Sequence, residues 1–349
     1  MSIIRKHIRF SEAKGCIHTK TFFYEYAFLL IVAIVLILVA GLRPIDINGD
    51  TENYSRFIVN RSFEGVSSLS GMEPFFWLIV GASKLLFADP VRGTFVIFAI
   101  LGVSLKLYAI KKISPFPVLS VLVYICFYFI LHEMGQIRVG VATAIFLIAI
   151  PDIVNKNVRG FLLKTALATM FHYSSIIMVP LYFLNPKRYN QIFYILLPYI
   201  GILLSVTSIP SLHFSSVIPL LPDFIGYKIN IYYDLLQMEE MSEINVYNML
   251  YSSLLVIHFF IVVNINRFKD PLIIISIKIF SWMLFLFYFF SFMPVLAFRL
   301  SEFYGVVLLL LLPSLITIIR QKLLTSVLVV SYSLLMLVNY LFIQKLLNI

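Results

Sequence analysis

The stretch FFYEYAFLLIVAIVLILVAGL, residues 22–42, decides the fold class of this 349-residue chain. It is long enough to cross a bilayer core as a helix, which takes about 20 apolar residues. Comparable apolar runs recur along the chain as far as residues 326–343. Only helices and closed barrels satisfy their backbone hydrogen bonds in lipid, and the sequence lacks the short alternating strands of a barrel. The sequence therefore predicts an all-α, polytopic integral membrane protein with roughly ten to twelve crossings.

The composition supports the same fold class. Hydrophobic residues make up 61% of the chain, charged residues make up 13%, and phenylalanine alone occurs 33 times. A soluble domain of this size does not carry so much apolar side chain on its surface. The net charge of +10 is explained by membrane topology and by attraction to anionic lipid. We therefore expect membrane lipid, and no nucleic acid, among the partners.

The charges of the polar stretches predict on which side of the membrane each stretch lies. We find no internal repeat and no linker, which indicates one membrane domain over residues 1–349. The basic N-terminal segment, residues 1–21, is expected in the cytoplasm, because Lys and Arg concentrate on that side of a membrane. The first outer loop then covers residues 43–72. A large outer loop is predicted at residues 209–245, which are rich in acids and hold Lys228 as their one basic residue.

Two intervals contain one apolar segment too many for this topology. The first leads from the outer loop to the basic pair Lys111 and Lys112, and it contains a short run at residues 73–87. The second, residues 160–184, lies between two basic loops that are both expected inside. We resolve both by predicting short, broken or re-entrant segments, the second one interrupted at His172. Irregular backbone at membrane depth is tolerated against protein or water.

Two arginines are candidates for binding an anion. Arg138 follows Gln136 and opens an apolar helix, and Arg299 follows a break at Pro294. Either side chain could reach lipid headgroups, as arginines at helix ends often do, and Arg299 could pair with Glu302. The guanidinium fork also matches the geometry of phosphate, and polar groups at membrane depth are often functional. Both interpretations stay open.

His172 is the titratable residue of an apolar segment. A neutral histidine that bonds to a backbone carbonyl is one explanation, and a general base or phosphate ligand is the other. A hydrolase triad has little support, because the chain has no Gly-x-Ser-x-Gly elbow. Its histidines also lack metal-site spacing, so we expect no metal and no cofactor.

The first outer loop carries carboxylates beside aromatic side chains. Asp50 and Glu52 could simply cap a short helix. Surfaces rich in Asp, Asn and Tyr also hold sugars through hydrogen bonds and ring stacking, and here Asp46 and Tyr54 could do so. A divalent-ion site has weak support, because the spacing departs from that of an EF-hand loop.

Five short motifs occur in a fixed order between residues 46 and 304. They are Asp-x-x-x-Tyr (Asp50, Tyr54), Glu-Pro (Glu73, Pro74), Gln-Ile-Arg-x-Gly-x-Ala (residues 136–142), Phe-His-Tyr-Ser (residues 171–174) and Arg-x-x-x-x-Tyr (Arg299, Tyr304). In this order they resemble the EpsG family of polysaccharide polymerases, which belong with the Wzy-type polymerases of O-antigen, lipopolysaccharide and capsule. The family often has Asp and Tyr adjacent, whereas Thr51 follows Asp50 here, so Asp46 and Asp50 are alternative counterparts.

The resemblance implies an enzyme of the bacterial inner membrane whose active site faces the periplasm. It would transfer a growing glycan from undecaprenyl diphosphate to a second lipid-linked repeat unit, with a flippase and a chain-length regulator as further partners. The implied site residues are a base (His172 first, then Asp50 or Glu73), diphosphate ligands (Arg138, Arg299, Gln136) and sugar ligands (Tyr54, Asp46, Tyr304).

Two other functions are also compatible with the sequence. A flippase or other transporter of lipid-linked oligosaccharide would also need a cationic cavity, although such proteins usually show two related halves, and none are visible here. A membrane acyltransferase that acts on surface sugars could use His172, but those enzymes commonly pair histidine with a nearby acid.

Overall fold

The computed structural model describes residues 24–60, 72–187, 189–207, 219, 226 and 248–348, and every regular element in them is a helix. The α-helices are α1 (Tyr24–Gly41), α2 (Gly49–Asn60), α3 (Pro74–Leu86), α4 (Pro90–Ile113), α5 (Pro117–Tyr124), α6 (Ile137–Asn155), α7 (Val158–Phe171), α8 (Gln191–Ser205), α9 (Met249–Val263), α10 (Pro271–Phe289), α11 (Pro294–Gly305), α12 (Leu308–Ser314) and α13 (Lys322–Val338). A π-helix (Ile125–Gly135) continues α5, and a 3-10 helix (Tyr173–Phe183) follows α7. The predicted all-α fold is confirmed.

The membrane character of the chain is also confirmed. Six described helices are long and apolar enough to cross a bilayer, and α11 with Leu308–Thr317 is a seventh candidate, bent by 53°. Four shorter apolar helices accompany them: α3, α8, α9 and the 3-10 helix. The predicted N-terminal segment 1–21 lies outside the described residues, as does the outer loop 209–245 except for Pro219 and Gly226.

Helix starts follow directly from local sequence. Proline lacks an N–H and has a fixed φ, so it fits the first turn of a helix, where that N–H would have no partner. Five helices begin with it: α3, α4, α5, α10 and α11. In α4 the preceding Asp89 also caps the helix, because its carboxylate accepts the N–H groups of Val91 (2.9 Å) and Arg92 (3.1 Å).

The first topological conflict is resolved by α3. Arg92 in the first turn of α4 donates to the carbonyl oxygen of Leu42 at 2.8 Å, which places the start of α4 beside the end of α1. At the opposite ends of these two helices, Lys111 pairs with Glu25. Helices α1 and α4 are therefore antiparallel neighbours, so the chain between them returns to the side it left. The short helix α3 belongs to that returning segment and does not add a crossing.

The second conflict is resolved by a hairpin with His172 at its tip. Helix α7 ends at Phe171, His172 is extended, and the 3-10 helix begins at Tyr173. Lys156, which precedes α7, donates to the carbonyl oxygen of Leu184 (2.7 Å), which follows the 3-10 helix. Both ends of the segment therefore lie together, and the predicted break at His172 is confirmed. With 14 residues, α7 is too short to span the hydrocarbon core.

Helix α6 occupies the centre of the bundle. Its apolar part is 78% buried, whereas the apolar parts of α1 and of the last span (Lys322–Ile343) are each 22% buried. It packs against α4, α7 and α10. It is therefore surrounded by protein over most of its length, whereas Gln136 and Arg138 at its start are partly exposed.

A close contact between α8 and α10 gives a test of this packing. A methyl group at Gly201 would lie 2.8 Å from the carbonyl oxygen of Phe285 and 3.2 Å from Cβ of Tyr288. We expect Gly201→Ala to destabilise the purified protein by about 1–3 kcal/mol, measured as a lower melting temperature in detergent. Gly49→Ala is the matched control, because no atom lies within 4 Å of the added methyl. Equal melting temperatures for the two variants would contradict the packing.

Candidate functional site

Three helix ends meet around the carboxylate of Glu73. Arg138 in the first turn of α6 donates from Nη1 to Glu73 Oε2 in a short ion pair. His172, at the tip of the hairpin, places Nδ1 3.4 Å from Glu73 Oε1. The backbone N–H of Tyr173 donates to the same oxygen at 3.1 Å. Glu73 itself immediately precedes α3. The sequence-predicted residues Glu73, Arg138 and His172 therefore form one cluster.

Tyr54 on α2 completes the support of Arg138. Its hydroxyl accepts a hydrogen bond from Arg138 Nε at 3.2 Å, and its ring centre lies 5.4 Å from the guanidinium carbon. The ring of Phe76 lies 5.9 Å from the same carbon. Burial raises the pKa of Tyr54, an effect that the charge of Arg138 partly opposes, so the hydroxyl stays neutral. Tyr54, predicted as a sugar ligand, holds the guanidinium in place here.

The guanidinium keeps donors for a further partner. An arginine side chain has five N–H groups, and the contacts with Glu73 and Tyr54 use two of them. The Arg138 side chain is 13% exposed, whereas that of Glu73 is 0% exposed. Since both carboxylate oxygens of Glu73 are engaged by neighbours, Glu73 is suited to orienting Arg138. The arrangement can present a fixed guanidinium edge to an anion.

Polar groups continue from this cluster along the N-terminus of α6. Gln136, which precedes α6, donates from Nε2 to Glu302 Oε2 at 3.0 Å. Glu302 also lies within the electrostatic influence of Arg299 and Asp50. His172 in turn lies within the influence of both Arg138 and Arg299. The two predicted arginines are therefore brought to the same region of the protein.

The remaining predicted residues lie further from the cluster. Tyr304 is 4% exposed, and its hydroxyl donates to the carbonyl oxygen of Ile177. Its ring packs 6.1 Å from that of Phe146. Asp46 is exposed, and its backbone carbonyl accepts a hydrogen bond from the side chain of Asn348 at 2.8 Å. These contacts tie Tyr304 into the core and place Asp46 at the surface.

A second buried ionic cluster was not predicted from the sequence. Lys106 on α4 donates to Glu133 Oε1 at 3.2 Å, and its Nζ lies 3.1 Å from Nδ1 of His132. The Lys106 and Glu133 side chains are 0% and 1% exposed. A Cβ atom at Gly102 or Gly140 would overlap Oε2 of Glu133, so these two glycines make the space for the carboxylate. The signal in the sequence was a single lysine in the apolar run of α4.

Arg43 connects the segment that follows α1 to this second cluster. Its Nε donates to the hydroxyl of Thr51 at 3.0 Å, and its Nη1 donates to the carbonyl oxygen of Glu133 at 3.2 Å. Burial lowers the pKa of Arg43 to about 10, so the guanidinium stays charged at neutral pH. The start of α2 is thereby fixed against the π-helix that leads to Gln136 and Arg138.

Metal ligands are not clustered in the described ranges: no group of three or more His, Cys, Asp or Glu side chains there could hold a metal ion.

Comparison with known proteins gives two matches. The profile of the EpsG family matches residues 26–348. The amylovoran biosynthesis protein AmsC of Erwinia amylovora is 28% identical over 189 residues, which are 51% of this chain and 48% of that protein. The chain therefore spans about half the length of this curated relative. No solved structure matches the chain.

The second cluster predicts a strong coupling between Lys106 and Glu133. We expect Lys106→Met and Glu133→Gln each to destabilise the protein by about 3–5 kcal/mol, because each leaves a buried charge without its partner. The double variant should lose much less than the sum of the two, measured by thermal unfolding in detergent. The exposed pair Glu25 and Lys111 is the matched control, where the same changes should cost about 0–1 kcal/mol. Additive losses at Lys106 and Glu133 would contradict a buried ion pair.

Proposed function

Since the chain belongs to the EpsG family, we propose that it is a membrane glycosyltransferase, a Wzy-type polymerase that joins polysaccharide repeat units without a metal ion. The observation that carries this proposal is the Arg138 guanidinium, held by Glu73 and Tyr54 where α2, α3, α6 and the hairpin meet. The similarity to a protein named for amylovoran biosynthesis supports a biosynthetic role.

The proposed reaction joins two lipid-linked glycans. A hydroxyl oxygen of the acceptor unit forms a bond to the anomeric carbon of the donor glycan. The bond from that carbon to the undecaprenyl diphosphate breaks, and its electron pair stays on the diphosphate oxygen. The acceptor hydroxyl loses its proton to a base. The developing negative charge on the diphosphate is the feature that the protein must stabilise.

Fixed cations meet that requirement. A donor placed in advance at a developing charge is worth about 3 kcal/mol in a transition state, because no reorganisation is needed during the reaction. Arg138 is oriented by two partners before any substrate arrives, and Arg299 lies in the same region. We assign diphosphate binding to these two arginines, with Gln136 beside them. Among the predicted bases, His172 and Asp50 remain candidates, whereas Glu73 is occupied with Arg138.

The proposed setting is the bacterial inner membrane, with the site open to the periplasm. Undecaprenyl-diphosphate-linked oligosaccharides would serve as donor and acceptor, and their chains would lie against the apolar outer surface of the bundle. A flippase would deliver the lipid-linked units to the outer leaflet, and a chain-length regulator would control the product. The N-terminus would lie in the cytoplasm.

The proposal predicts a specific loss in a polymerisation assay. Purified protein in liposomes with lipid-linked repeat units should produce longer glycan on one lipid. Arg138→Ala and Arg299→Ala should each lower the rate at least tenfold, about 1.4 kcal/mol, without lowering protein yield. Arg138→Lys should rescue poorly, because an ammonium group cannot contact two oxygens in one plane.

The same assay separates the proposal from its alternatives. Acylated sugar as the product would identify an acyltransferase, and unchanged glycan moved to the other leaflet would identify a flippase. Arg56→Ala is a control of equal charge change, because Arg56 is an exposed residue that pairs with Glu52 on the surface of α2. Full activity of both Arg138→Ala and Arg299→Ala would contradict the assigned role of these arginines.

The proposed orientation is tested by labelling single cysteines with a membrane-impermeant reagent. Asn53 should react from outside, whereas Lys156, Lys187 and Arg267 should react only after the membrane is opened; all four positions are exposed. Two further positions, Met134 and Asn230, should also face outside in this orientation. They are less suitable for labelling, because Met134 is buried and Asn230 lies outside the described residues. Labelling of position 187 from outside would mean that the hairpin segment crosses the membrane once.

A further inference from the structure

Glu302 on α11 is a further carboxylate at the candidate site, three residues after Arg299 in the chain. In the structure it accepts a hydrogen bond from Gln136 Nε2 at 3.0 Å. It is partly exposed, and the charges of Arg299 and Asp50 reach it. The other titratable groups that it influences are three tyrosine hydroxyls: Tyr128, Tyr251 and Tyr340. Glu302 therefore lies beside the same α6 terminus that carries Arg138.

Among the carboxylates near this terminus, Glu73 and Glu302 have different surroundings. Glu73 is 0% exposed, and its oxygens contact the cation of Arg138, the N–H of Tyr173 and the ring of His172. A carboxylate stabilised by a cation and a backbone donor holds a proton weakly, and a buried one is hard for a substrate to reach. The hydrogen bond to Glu302 comes from a neutral amide, which stabilises the anion less than a guanidinium does.

His172 is a weaker candidate than Glu302 for the base that takes the proton of the acceptor hydroxyl. It is 3% exposed, its Nδ1 faces Glu73, and the positive charges of Arg138 and Arg299 both reach it. A proton taken up by the imidazole would add a third positive charge beside these two arginines. A proton taken up by Glu302 would instead remove a negative charge from the region where the diphosphate leaves.

We infer that Glu302 is the catalytic base that deprotonates the acceptor hydroxyl, with Gln136 as the residue that positions it; this rests on the proposed polymerase function. The acceptor proton passes to a Glu302 oxygen as the hydroxyl oxygen bonds to the anomeric carbon. The carbon–oxygen bond to the diphosphate breaks, and its electron pair leaves with the diphosphate. Glu302 then returns its proton to water.

The amide of Gln136 supports this assignment through its second polar atom. Gln136 Oε1 is buried and has no hydrogen-bond partner among the described residues. A buried acceptor without a partner costs free energy, so such atoms usually meet a ligand or water. A substrate hydroxyl beside this hydrogen-bonded pair could donate to Gln136 Oε1 or to Glu302. The two residues together therefore suit the binding of a sugar hydroxyl.

The test compares Glu302→Gln with Glu302→Asp in the liposome assay with lipid-linked repeat units. Glutamine can still accept the hydrogen bond from Gln136 but cannot take up a proton. We expect Glu302→Gln to lower kcat by about a hundredfold or more with little change in KM, and to remove the rise of kcat with pH. Glu302→Asp should keep a reduced rate with the pH dependence intact. Glu52→Gln, on the surface of α2, should behave like the wild type.

If Glu302→Gln does not fold, Glu302→Ala with added formate replaces it, and the small carboxylate should restore part of the rate. Near-normal kcat for Glu302→Gln, a change confined to KM, or loss of the pH dependence in His172→Gln but not in Glu302→Gln would each overturn the assignment. Wild-type protein that makes no longer glycan would instead overturn the polymerase function itself.

Discussion

The ion pair between Arg138 and Glu73 is the interaction on which the arrangement of the candidate site depends. A guanidinium within the membrane domain is expensive unless it meets a partner or a wet cavity. Glu73 supplies that partner with a side chain that is 0% exposed. Glu73 lies there because it immediately precedes α3, whose first residue is Pro74. The same carboxylate receives the hairpin tip, so one charge fixes three helix ends.

The buried cluster of Lys106, His132 and Glu133 is connected to the candidate site by a short segment of chain. His132, Glu133, Gln136 and Arg138 fall within seven positions, which include the end of the π-helix and the start of α6. A π-helix is wider than an α-helix and is frequent at functional sites. Glu133 is tied to Lys106 and fills the space left by two glycines. Loss of that contact would therefore be expected to displace Gln136 and Arg138, which follow Glu133 closely in the chain.

The helices and their breaks could be predicted from the sequence, whereas the side-chain pairs between helices could be predicted only in part. Hydrophobic runs and charge bias were sufficient for the all-α membrane fold, for the break at His172 and for the short segment at α3. These features depend on residues close together in the chain. The pairing of Lys106 with Glu133, 27 positions apart, depends on how α4 packs against the π-helix. A pattern along one chain does not contain that packing, so the pair was not predicted.

The same limit applies to the candidate site. Arg138, Glu73 and His172 were each selected because polar residues in apolar runs are exceptional, and the structure places them in contact. Their mutual roles could not be read from the sequence. Glu73 was expected as a base and is a partner of Arg138, and Glu302 was expected beside Arg299 and accepts from Gln136. Distances between helices decide which of several carboxylates is available to a substrate.

Direct binding measurements test the role of the oriented guanidinium most clearly. A prenyl diphosphate carrying one repeat unit can be titrated into the wild type, Arg138→Lys and Glu73→Gln, with the corresponding monophosphate as a reference ligand. We expect both variants to bind the diphosphate at least tenfold more weakly, about 1.4 kcal/mol, with a smaller change for the monophosphate. Unchanged diphosphate affinity in both folded variants would contradict an Arg138 that Glu73 holds for that ligand.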